Sequence, residues 1–456
     1  MIYPLHQKVS LEDFAADCGG KIAKASDNIY FDSIITDSRE KCASAIFVCI
    51  KGERFDGHDY ASVAAEGGAV CLMCERELDV SLPQIIVDNC VLALGRAAKA
   101  KRDRINPTVI ALTGSVGKTT TRQLTASIFS HHTETVCTEG NLNNELGLPL
   151  TVLGIKSSTR ALVLEMGMTG LGEISYLSKI ASPDVGIITN IGSSHLEHLK
   201  TRENICKAKM EIADGMNGGA LVLNGDEPLL QNVDGAYYVS KNNSNAFCHV
   251  GKVAFDESGS VFDLVIDGKT FSDLTVPAVG HHVVFDAALA STAAYLSGVS
   301  EESIRLGLKG FQNTGMRQRI STIKVGQKNL TVIEDCYNAA PESVRASLDV
   351  LKSVKCKRRI AVLGDMRELG TDSPSLHRSV GEYALNCGID ALFTFGPLSE
   401  DIAKGADSIT VCSLTDLSDP SSLAKEITDY SKDGDCILFK ASRAVEMERI
   451  VKLLSK

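Results

Sequence analysis

Short apolar runs alternate with stretches of helical periodicity along most of the chain. The runs at 109–112, 161–164 and 185–188 have the length and the β-branched content of buried strands, and amphipathic stretches follow them. Strands that alternate with helices are typical of α/β proteins with mostly parallel sheets. The same pattern starts again near residue 314, with strands at 331–334 and 359–363, and predicts a second doubly wound, Rossmann-like unit.

The length of 456 residues is enough for several domains. We predict an α/β protein of three domains: a small α/β domain at 1–88, a central P-loop domain at 89–313 and a Rossmann-like domain at 314–456. Segment 236–276 has β-like pieces separated by Asn and Gly turns, which favours an antiparallel extension of the central sheet.

The composition excludes several classes of protein. Lys and Arg number 47 against 57 Asp and Glu, and no basic cluster follows a nucleic-acid backbone, so we expect no nucleic-acid partner. The 14 cysteines are scattered, which is typical of reduced thiols in the cytoplasm. Cys71 and Cys74 lie in a strand-like run, and we expect no metal there. The start of the chain lacks the apolar core of a signal peptide and no run is long enough to span a membrane, so we expect no membrane insertion.

The strongest local signal is a phosphate-binding turn after the strand at 109–112. Its residues are Thr113, Gly114, Ser115, Val116, Gly117, Lys118, Thr119 and Thr120. Glycines let backbone N–H groups surround phosphate oxygens, the lysine adds a charge and the first threonine can bind Mg²⁺. Leu112 stands where the general pattern has a glycine. The turn predicts ATP binding, and the alternative is an ordinary glycine turn between a strand and a helix.

Polar residues at strand ends predict further parts of a site, because ligands of α/β sheets bind at that edge. Glu165 and His195 end two central strands and could serve a metal, although either could also be a solvated or hydrogen-bonded loop residue. Lys207 and Lys209, taken alone, indicate a solvated helix face. Polar loops at 37–39, 51–60, 335–341, 364–370 and 440–443 complete the set. No Gly-x-Gly-x-x-Gly follows a strand, so a nicotinamide cofactor is not indicated.

Several of these motifs together resemble the Mur ligase family over essentially the whole chain. The most specific are 113–120, 141–149, the Thr-Asn-Ile-Gly-x-x-His-Leu-Glu run at 189–197, and 364–370. The resemblance implies that a cytoplasmic, monomeric enzyme uses ATP to join D-Ala-D-Ala to UDP-MurNAc-tripeptide through an acyl phosphate, in peptidoglycan precursor synthesis. It does not imply the third residue of the peptide.

The resemblance also implies roles for individual residues. The catalytic residues would be Lys118, Lys209, His195 and Arg317. ATP would be bound by 113–120, Asn224, Asp226, His281, Arg317, Asp335 and Tyr337. The two other substrates would be bound by Ser38, Arg39, Lys51, Gly52, Asp56, Gly57, His58, Asn143, Asn144, Asn338, Ser442 and Arg443, with Lys440 on the same face. Two Mg²⁺ ions would be held by Thr119, Glu165, His195 and Lys209, the last as a carbamate, with Lys207 as its nearby competitor.

The chain departs from the family pattern at two places. Asp286 stands where the family often has an asparagine, after His282, which leaves the nucleotide contacts there open. Ala340 replaces an asparagine in the loop 338–341.

The alternative functions are those of a sibling ligase that adds a diamino acid or L-lysine, a folylpolyglutamate synthase, a catalytically silent nucleotide-binding regulator, and a P-loop kinase. The diamino-acid enzymes usually carry an Asp-Asn-Pro-Arg-like loop, which this chain lacks.

Overall fold

The computed structural model describes residues 1–24, 28–256, 259–313 and 317–455. Residues 314–316, which contain the predicted third-domain start and the Gly-Met pair before Arg317, lie outside the described residues. Within the described ranges the chain is α/β and its sheets are mostly parallel, which confirms the predicted fold class.

The first part of the chain forms one six-stranded sheet with three helices. Its strands are β1 (Ile2–Ser10), β2 (Lys21–Ala23), β3 (Tyr30–Ile35), β4 (Ala45–Val48), β5 (Cys71–Cys74) and β6 (Gln84–Ile86), and its helices are α1 (Leu11–Cys18), α2 (Ala61–Glu66) and α3 (Cys90–Ile105). The strand order is β1-β3-β4-β5-β6-β2. The hydroxyl of Ser10 caps α1 by accepting from the N–H of Asp13, as a serine before a helix predicts.

The middle of the chain contains the P-loop strand and the predicted antiparallel extension. The strands are β7 (Thr108–Thr113), β8 (Thr135–Cys137), β9 (Ala161–Glu165), β10 (Val185–Ile188), β11 (Ala220–Asn224), β12 (Tyr237–Ser240), β13 (Cys248–Asp256), β14 (Gly259–Ile266) and β15 (Lys269–Val276). The helices are α4 (Lys118–Ser130), α5 (Gly147–Leu153), α6 (Glu173–Ala181), α7 (Leu196–Leu199), α8 (Arg202–Met210), α9 (His281–Leu296) and α10 (Glu301–Lys309). The strand order is β15-β14-β13-β12-β11-β10-β7-β9-β8, and β13 to β15 are antiparallel as expected.

The last part of the chain forms the predicted Rossmann-like sheet. The strands are β16 (Arg319–Val325), β17 (Lys328–Glu334), β18 (Arg359–Gly364), β19 (Ala391–Phe395), β20 (Thr410–Leu414) and β21 (Cys436–Lys440). The helices are α11 (Pro341–Ser353), α12 (Ser373–Asn386), α13 (Glu400–Gly405), α14 (Pro420–Tyr430) and α15 (Glu448–Leu454). The order is β16-β17-β21-β18-β19-β20, with only β16 antiparallel to its neighbour.

The contacts group the described chain into two compact units, which we describe separately. Unit 1 comprises Met1–Thr113, His132–Ile187 and Met210–Leu221. Unit 2 comprises Gly114–His131, Ile188–Lys209 and Val222–Lys456. This grouping does not test the predicted domain borders at 88/89 and 313/314, which stay predictions.

Several strands were not predicted from the sequence. β1, β2, β16 and β20 are mostly short or partly exposed, and their apolar and polar positions follow no clear alternation. Such strands owe their existence to the neighbouring strands with which they pair, and a local pattern does not show that pairing.

Candidate active site

In unit 1 the predicted metal ligand Glu165 lies at the edge of the sheet where the P-loop begins. It ends β9 and pairs with Leu112 on the parallel strand β7. Its side chain is almost fully buried, and Oε1 accepts a hydrogen bond from Nδ2 of Asn143 at 3.0 Å. The alternative of a solvated acid at a strand end is therefore wrong. A buried carboxylate oriented by an amide suits Mg²⁺, which prefers oxygen ligands.

In unit 2 the P-loop is held by the residues after β10, which we name the support segment (Thr189–His195). The oxygen Oδ1 of Asn190 accepts hydrogen bonds from the backbone N–H groups of Ser115 (3.1 Å) and Val116 (2.9 Å). The hydroxyl of Thr189 donates to the carbonyl oxygen of Val116 at 2.6 Å. The path of the loop is therefore set by side chains about 75 residues away in the chain.

Gly114 and Lys118 of the P-loop motif have defined local contacts. Gly114 adopts φ +157°, and a Cβ at this position would lie 1.8 Å from Oγ1 of Thr189. Only glycine fits there. The Lys118 ammonium donates to the carbonyl oxygens of Gly114 (2.7 Å) and Ser115 (3.2 Å), which holds its charge over the loop. Thr119 and Thr120 follow in the first turn of α4, whose N-terminus favours anions.

Two carboxylates from the C-terminal part of unit 2 contact the support segment. Oε1 of Glu342, in the first turn of α11, accepts from the N–H (3.0 Å) and the hydroxyl (2.8 Å) of Ser193. Nδ1 of His195 lies 2.6 Å from Oε2 of Glu368. This contact is the main cause that lowers the pKa of Glu368. The histidine predicted to serve a metal is thus paired with a carboxylate.

Lys209 is buried in unit 2, whereas Lys207 is exposed. The expectation of a solvated helix face is therefore wrong for Lys209, because this position turns inward from α8. Burial, together with the positive charge of Lys118, lowers the pKa of Lys209 well below its ordinary value. A buried amine with this pKa distinguishes Lys209 from Lys207 as the candidate catalytic lysine.

Asp286 replaces the family's asparagine on α9 and lies against the P-loop. A Cβ at Gly117, which has φ +82°, would lie 2.6 Å from Oδ1 of Asp286. Burial raises the pKa of Asp286 well above its ordinary value, although the nearby hydroxyl of Thr121 acts against the shift. An aspartic acid that keeps its proton has the same shape as the asparagine it replaces and can also donate a hydrogen bond.

The two histidines at the start of α9 differ in exposure. His281, a predicted ATP ligand, is exposed and packs edge-on against Phe255 at 4.8 Å between ring centroids. It lines a cavity of about 320 Å³ together with Lys241 and Phe285. The pKa of His282 is lowered by burial, partly offset by the charge of Asp335.

The loop after β17 brings two predicted nucleotide residues into defined contacts. Asp335 pairs with Lys440 at 2.7 Å and accepts from the hydroxyl of Ser347 at 2.6 Å. Burial alone would raise the pKa of Asp335, but Lys440 and Ser347 outweigh it, and the pKa is lowered. The guanidinium of Arg317 lies 4.1 Å from the centre of the Tyr337 ring, a cation–π contact.

Other predicted site residues of unit 2 organise loops. Asn224 donates to the carbonyl oxygen of Thr189 at 3.0 Å, and the carboxylate of Asp226 accepts from Ser240 and from the N–H of Lys241. Ser442 is buried and accepts from the N–H of Arg367 at 2.9 Å. Asn338 is exposed and its Oδ1 accepts from the N–H of Ala339. Arg443 is half-exposed and pairs with Glu448 at 2.7 Å.

The predicted substrate residues of unit 1 fall into exposed and buried groups. Arg39 is exposed and holds the carboxylate of Asp37, whose pKa it lowers. Ser38 lies between them, Lys51 and Gly52 are exposed, and Asn144 is exposed with its Oδ1 accepting from the N–H of Gly147.

His58 is buried, and both of its ring nitrogens have partners. Nδ1 contacts Asp56 at 2.5 Å, and Nε2 accepts from the N–H of Glu75 at 2.9 Å. A Cβ at Gly57 would lie 2.7 Å from the backbone nitrogen of Ile50. These contacts indicate that His58 and Gly57 shape the loop that presents Lys51 and Gly52.

Three residues of this site received no role from the sequence. Asn190 and Glu368 lie inside motifs that carry the family resemblance, and their positions after strands were the available signal. Glu342 offered no signal, because its partner Ser193 is 149 residues away in the chain. Among the described residues there is no group of three or more His, Cys, Asp or Glu side chains placed to hold a metal ion. In the same ranges no helix has the length and apolar character needed to cross a membrane.

Comparison with known proteins matches three segments of the chain to family profiles. Residues 31–109 match "Mur ligase family, catalytic domain", 112–294 match "Mur ligase middle domain", and 318–443 match "Mur ligase, glutamate ligase domain". The UDP-N-acetylmuramoyl-tripeptide–D-alanyl-D-alanine ligase of Bacillus subtilis is 37% identical over 433 residues, which cover 92% of each chain.

Solved structures agree with the sequence comparison. A MurF structure from Acinetobacter baumannii superposes with a TM-score of 0.91 at 29% identity, over 99% of both chains. MurF ligase from Thermotoga maritima in complex with ADP gives a TM-score of 0.83 at 29% identity, over 92% of this chain and 96% of that one.

The P-loop, the parallel sheets and the three matched segments define an ATP-dependent ligase of three domains, as predicted. The chain belongs to the Mur ligase family.

Proposed function

We propose that this chain joins D-Ala-D-Ala to UDP-MurNAc-tripeptide with hydrolysis of ATP to ADP and phosphate. The observation that carries the proposal is the near full-length match to a ligase of that name, 37% identical over 92% of both chains. The P-loop contacts and the buried residues Glu165 and Lys209 support an active enzyme rather than a silent regulator.

The reaction proceeds by activation of a carboxylate. An oxygen of the tripeptide's terminal carboxylate attacks the γ-phosphorus of ATP, the bond to the β,γ-bridging oxygen breaks and ADP leaves. The amine of D-Ala-D-Ala then attacks the carbonyl carbon of the acyl phosphate. The tetrahedral intermediate loses phosphate and the amine loses a proton, which leaves the new amide. Such a reaction depends mainly on positioning and on charge stabilisation.

The chain's own residues supply much of that stabilisation. Lys118, held over the P-loop by two carbonyl oxygens, neutralises charge on the transferring phosphoryl group. Arg317 would take the same role, and its stacking on Tyr337 limits the positions of the guanidinium. The neutral form of Lys209 is favoured by burial, so this amine can accept a proton or a hydrogen bond near the reacting groups.

Magnesium is the metal that fits this chemistry. When bound, it would neutralise the phosphate oxygens of ATP and help to orient them. In unit 1 the buried, amide-oriented carboxylate of Glu165 is a suitable oxygen donor. The hydroxyl of Thr119 stays a predicted donor. Mg²⁺ commonly takes one or two carboxylates and completes its shell with phosphates and water, which is compatible with the absence of a larger acidic cluster in the described ranges. His195 is the predicted helper of a second ion.

The carbamate of Lys209 stays a prediction, and the comparisons lend it no support. Carbon dioxide reacts with a neutral amine, and the lowered pKa of Lys209 meets that requirement. ¹³C-bicarbonate labelling separates the two forms: a carbamate resonance that is absent in Lys209→Met would support the modification, and identical spectra would exclude it.

The two substrates would be bound by separate parts of the chain. We assign the UDP-sugar end to the exposed loops of residues 1–88, around Arg39 and Lys51, and D-Ala-D-Ala to residues 314–456, around Asn338 and Arg443. Residues 89–313 would carry ATP. We expect a monomer that acts in the cytoplasm, where a nucleotide-linked precursor and ATP are present.

Phosphate release from ATP tests the proposal. Release should require both UDP-MurNAc-tripeptide and D-Ala-D-Ala, and it should yield the ligated product by mass spectrometry. Release that depends on a free diamino acid or L-lysine instead would identify a sibling ligase. ATP binding without release under any of these mixtures would identify a silent regulator.

A further inference from the structure

The support segment connects the P-loop to the helix that follows the proposed acceptor loop. On one side, Asn190 accepts from the N–H groups of Ser115 and Val116. On the other side, Ser193 donates two hydrogen bonds to Oε1 of Glu342. All five residues belong to unit 2. Glu342 directly follows the loop 338–341, so one short chain of hydrogen bonds links that loop to the ATP-binding turn.

The hydrogen-bonded residues between the P-loop and Glu342 are in close contact. The N–H of Gly192 donates to the hydroxyl of Ser115 at 2.8 Å, which ties the segment to the P-loop at a second point. A Cβ at Gly192 would lie 2.9 Å from the carboxyl carbon of Glu342, so the carboxylate lies directly against the backbone of the segment. Ser193 is buried, which shields its bonds from competition with water.

Among the described residues, Ser193 is the hydrogen-bond partner that accounts for the position of the Glu342 carboxylate. Its other oxygen, Oε2, is buried and has no hydrogen-bond partner among the described residues. A half-buried carboxylate loses part of its hydration, which costs free energy. The two hydrogen bonds from Ser193 and the N-terminal turn of α11 offset this cost. The first turn of a helix favours a negative charge, so α11 can hold the carboxylate in place.

We propose that Glu342 is a positioning residue for ATP: it fixes the support segment through Ser193, and the segment fixes the backbone path of the P-loop. The inference rests on the proposed ATP-dependent ligation. It assigns no contact between Glu342 and the substrates. Loss of the carboxylate should therefore change the affinity for ATP more than it changes the affinity for the UDP-linked peptide.

The test compares Glu342→Ala with Glu342→Gln and with Asp349→Ala. Glu342→Ala loses both bonds from Ser193, and we expect about ten-fold weaker ATP binding and a similar rise in KM for ATP. KM for UDP-MurNAc-tripeptide should stay unchanged. Glu342→Gln keeps an acceptor oxygen for Ser193 and should recover most of the loss. Asp349 is an acid of the same helix that binds the Tyr383 hydroxyl instead, so Asp349→Ala should leave both KM values unchanged.

A double-mutant cycle between Asn190 and Glu342 tests whether both residues act on ATP binding through the support segment. Asn190→Ala should also weaken ATP binding, and the double variant Asn190→Ala/Glu342→Ala should lose less than the product of the two single effects, because both act through the support segment. If Glu342→Ala does not fold, Ser193→Ala removes one of the two bonds from the other side and should raise KM for ATP in the same direction.

If the wild-type protein ligates its substrates, unchanged ATP affinity in Glu342→Ala would overturn the inference. An equal rise in KM for ATP and KM for UDP-MurNAc-tripeptide would also overturn it. So would tighter ATP binding in both Glu342 variants, which would indicate that the carboxylate repels the phosphates of ATP. Absence of ligation by the wild type would refute the proposed function and is measured separately.

Discussion

Substitution of Gly114 by alanine should weaken ATP binding by forcing Thr189 or the P-loop to move. The new Cβ would lie 1.8 Å from Oγ1 of Thr189, which is far closer than two non-bonded atoms can approach. The backbone at this glycine has φ +157°, which side chains rarely adopt. If the threonine moves, its 2.6 Å hydrogen bond to the carbonyl oxygen of Val116 is lost.

The size of the effect follows from two costs. Extra volume in a packed site costs about 1–3 kcal/mol. The lost hydrogen bond costs about 0.5–1.5 kcal/mol more. If the two costs together raise the free energy of the loop conformation that binds phosphate, ATP affinity falls about 10- to 1000-fold, since about 1.4 kcal/mol corresponds to a factor of ten.

The assay is an ATP titration of ligation together with direct binding of ATP. Gly326→Ala is the matched control, because this glycine has φ +62° and open space around it, so it carries a backbone cost without a clash. The double variant Gly114→Ala/Thr189→Ala removes the clashing hydroxyl and should bind ATP more tightly than Gly114→Ala alone. Wild-type KM for ATP in Gly114→Ala, or no gain in the double variant, would refute the reasoning.

Three further variants test the site. Lys209→Met should abolish phosphate release, whereas Lys207→Met, at an exposed position, should leave it intact; equal loss in both would contradict the assignment. Asp286 keeps its proton to higher pH when folded than when unfolded, so the free energy of unfolding falls as pH rises from the ordinary aspartate pKa to the raised one. At neutral pH, Asp286→Asn should therefore have a higher melting temperature than the wild type. The difference in melting temperature should shrink toward pH 4, and a difference that does not depend on pH would exclude this linkage. Tyr337→Phe should preserve the stacking of Arg317 and Tyr337→Ala should raise KM for ATP about 3- to 30-fold, the range of a cation–π contact; equal KM values would argue against a role of the ring.

Local patterns in the chain were sufficient for much of the architecture. The helix over Leu11–Cys18 and the strands Ala391–Phe395 and Cys436–Lys440 occur with the predicted bounds. Their periodicity, caps and apolar runs act within a few residues, so a sequence shows them directly. The P-loop belongs to the same class, because its glycines, lysine and threonines are consecutive.

The burial of single polar residues was not accessible in the same way. Lys207 and Lys209 stand on one short helix, and residue type and spacing favoured solvent for both. Only the path of α8 against its neighbours buries one and exposes the other. His58 looked like a ligand in a polar loop, yet Asp56 and the backbone of Glu75 occupy its ring nitrogens. Burial and hydrogen-bond pairing depend on segments distant in sequence.

The sequence by itself determined the fold class, the phosphate-binding turn and the family, since these depend on contiguous residues. The tertiary structure decided how that turn is held. Asn190 accepts a hydrogen bond from the N–H of Ser115 in the turn, 75 residues away in the chain. Glu342 accepts from Ser193 of the support segment, 149 residues away. Hydrogen bonds of this kind form only when folding brings distant strand ends and helix starts together, so no local pattern can encode them.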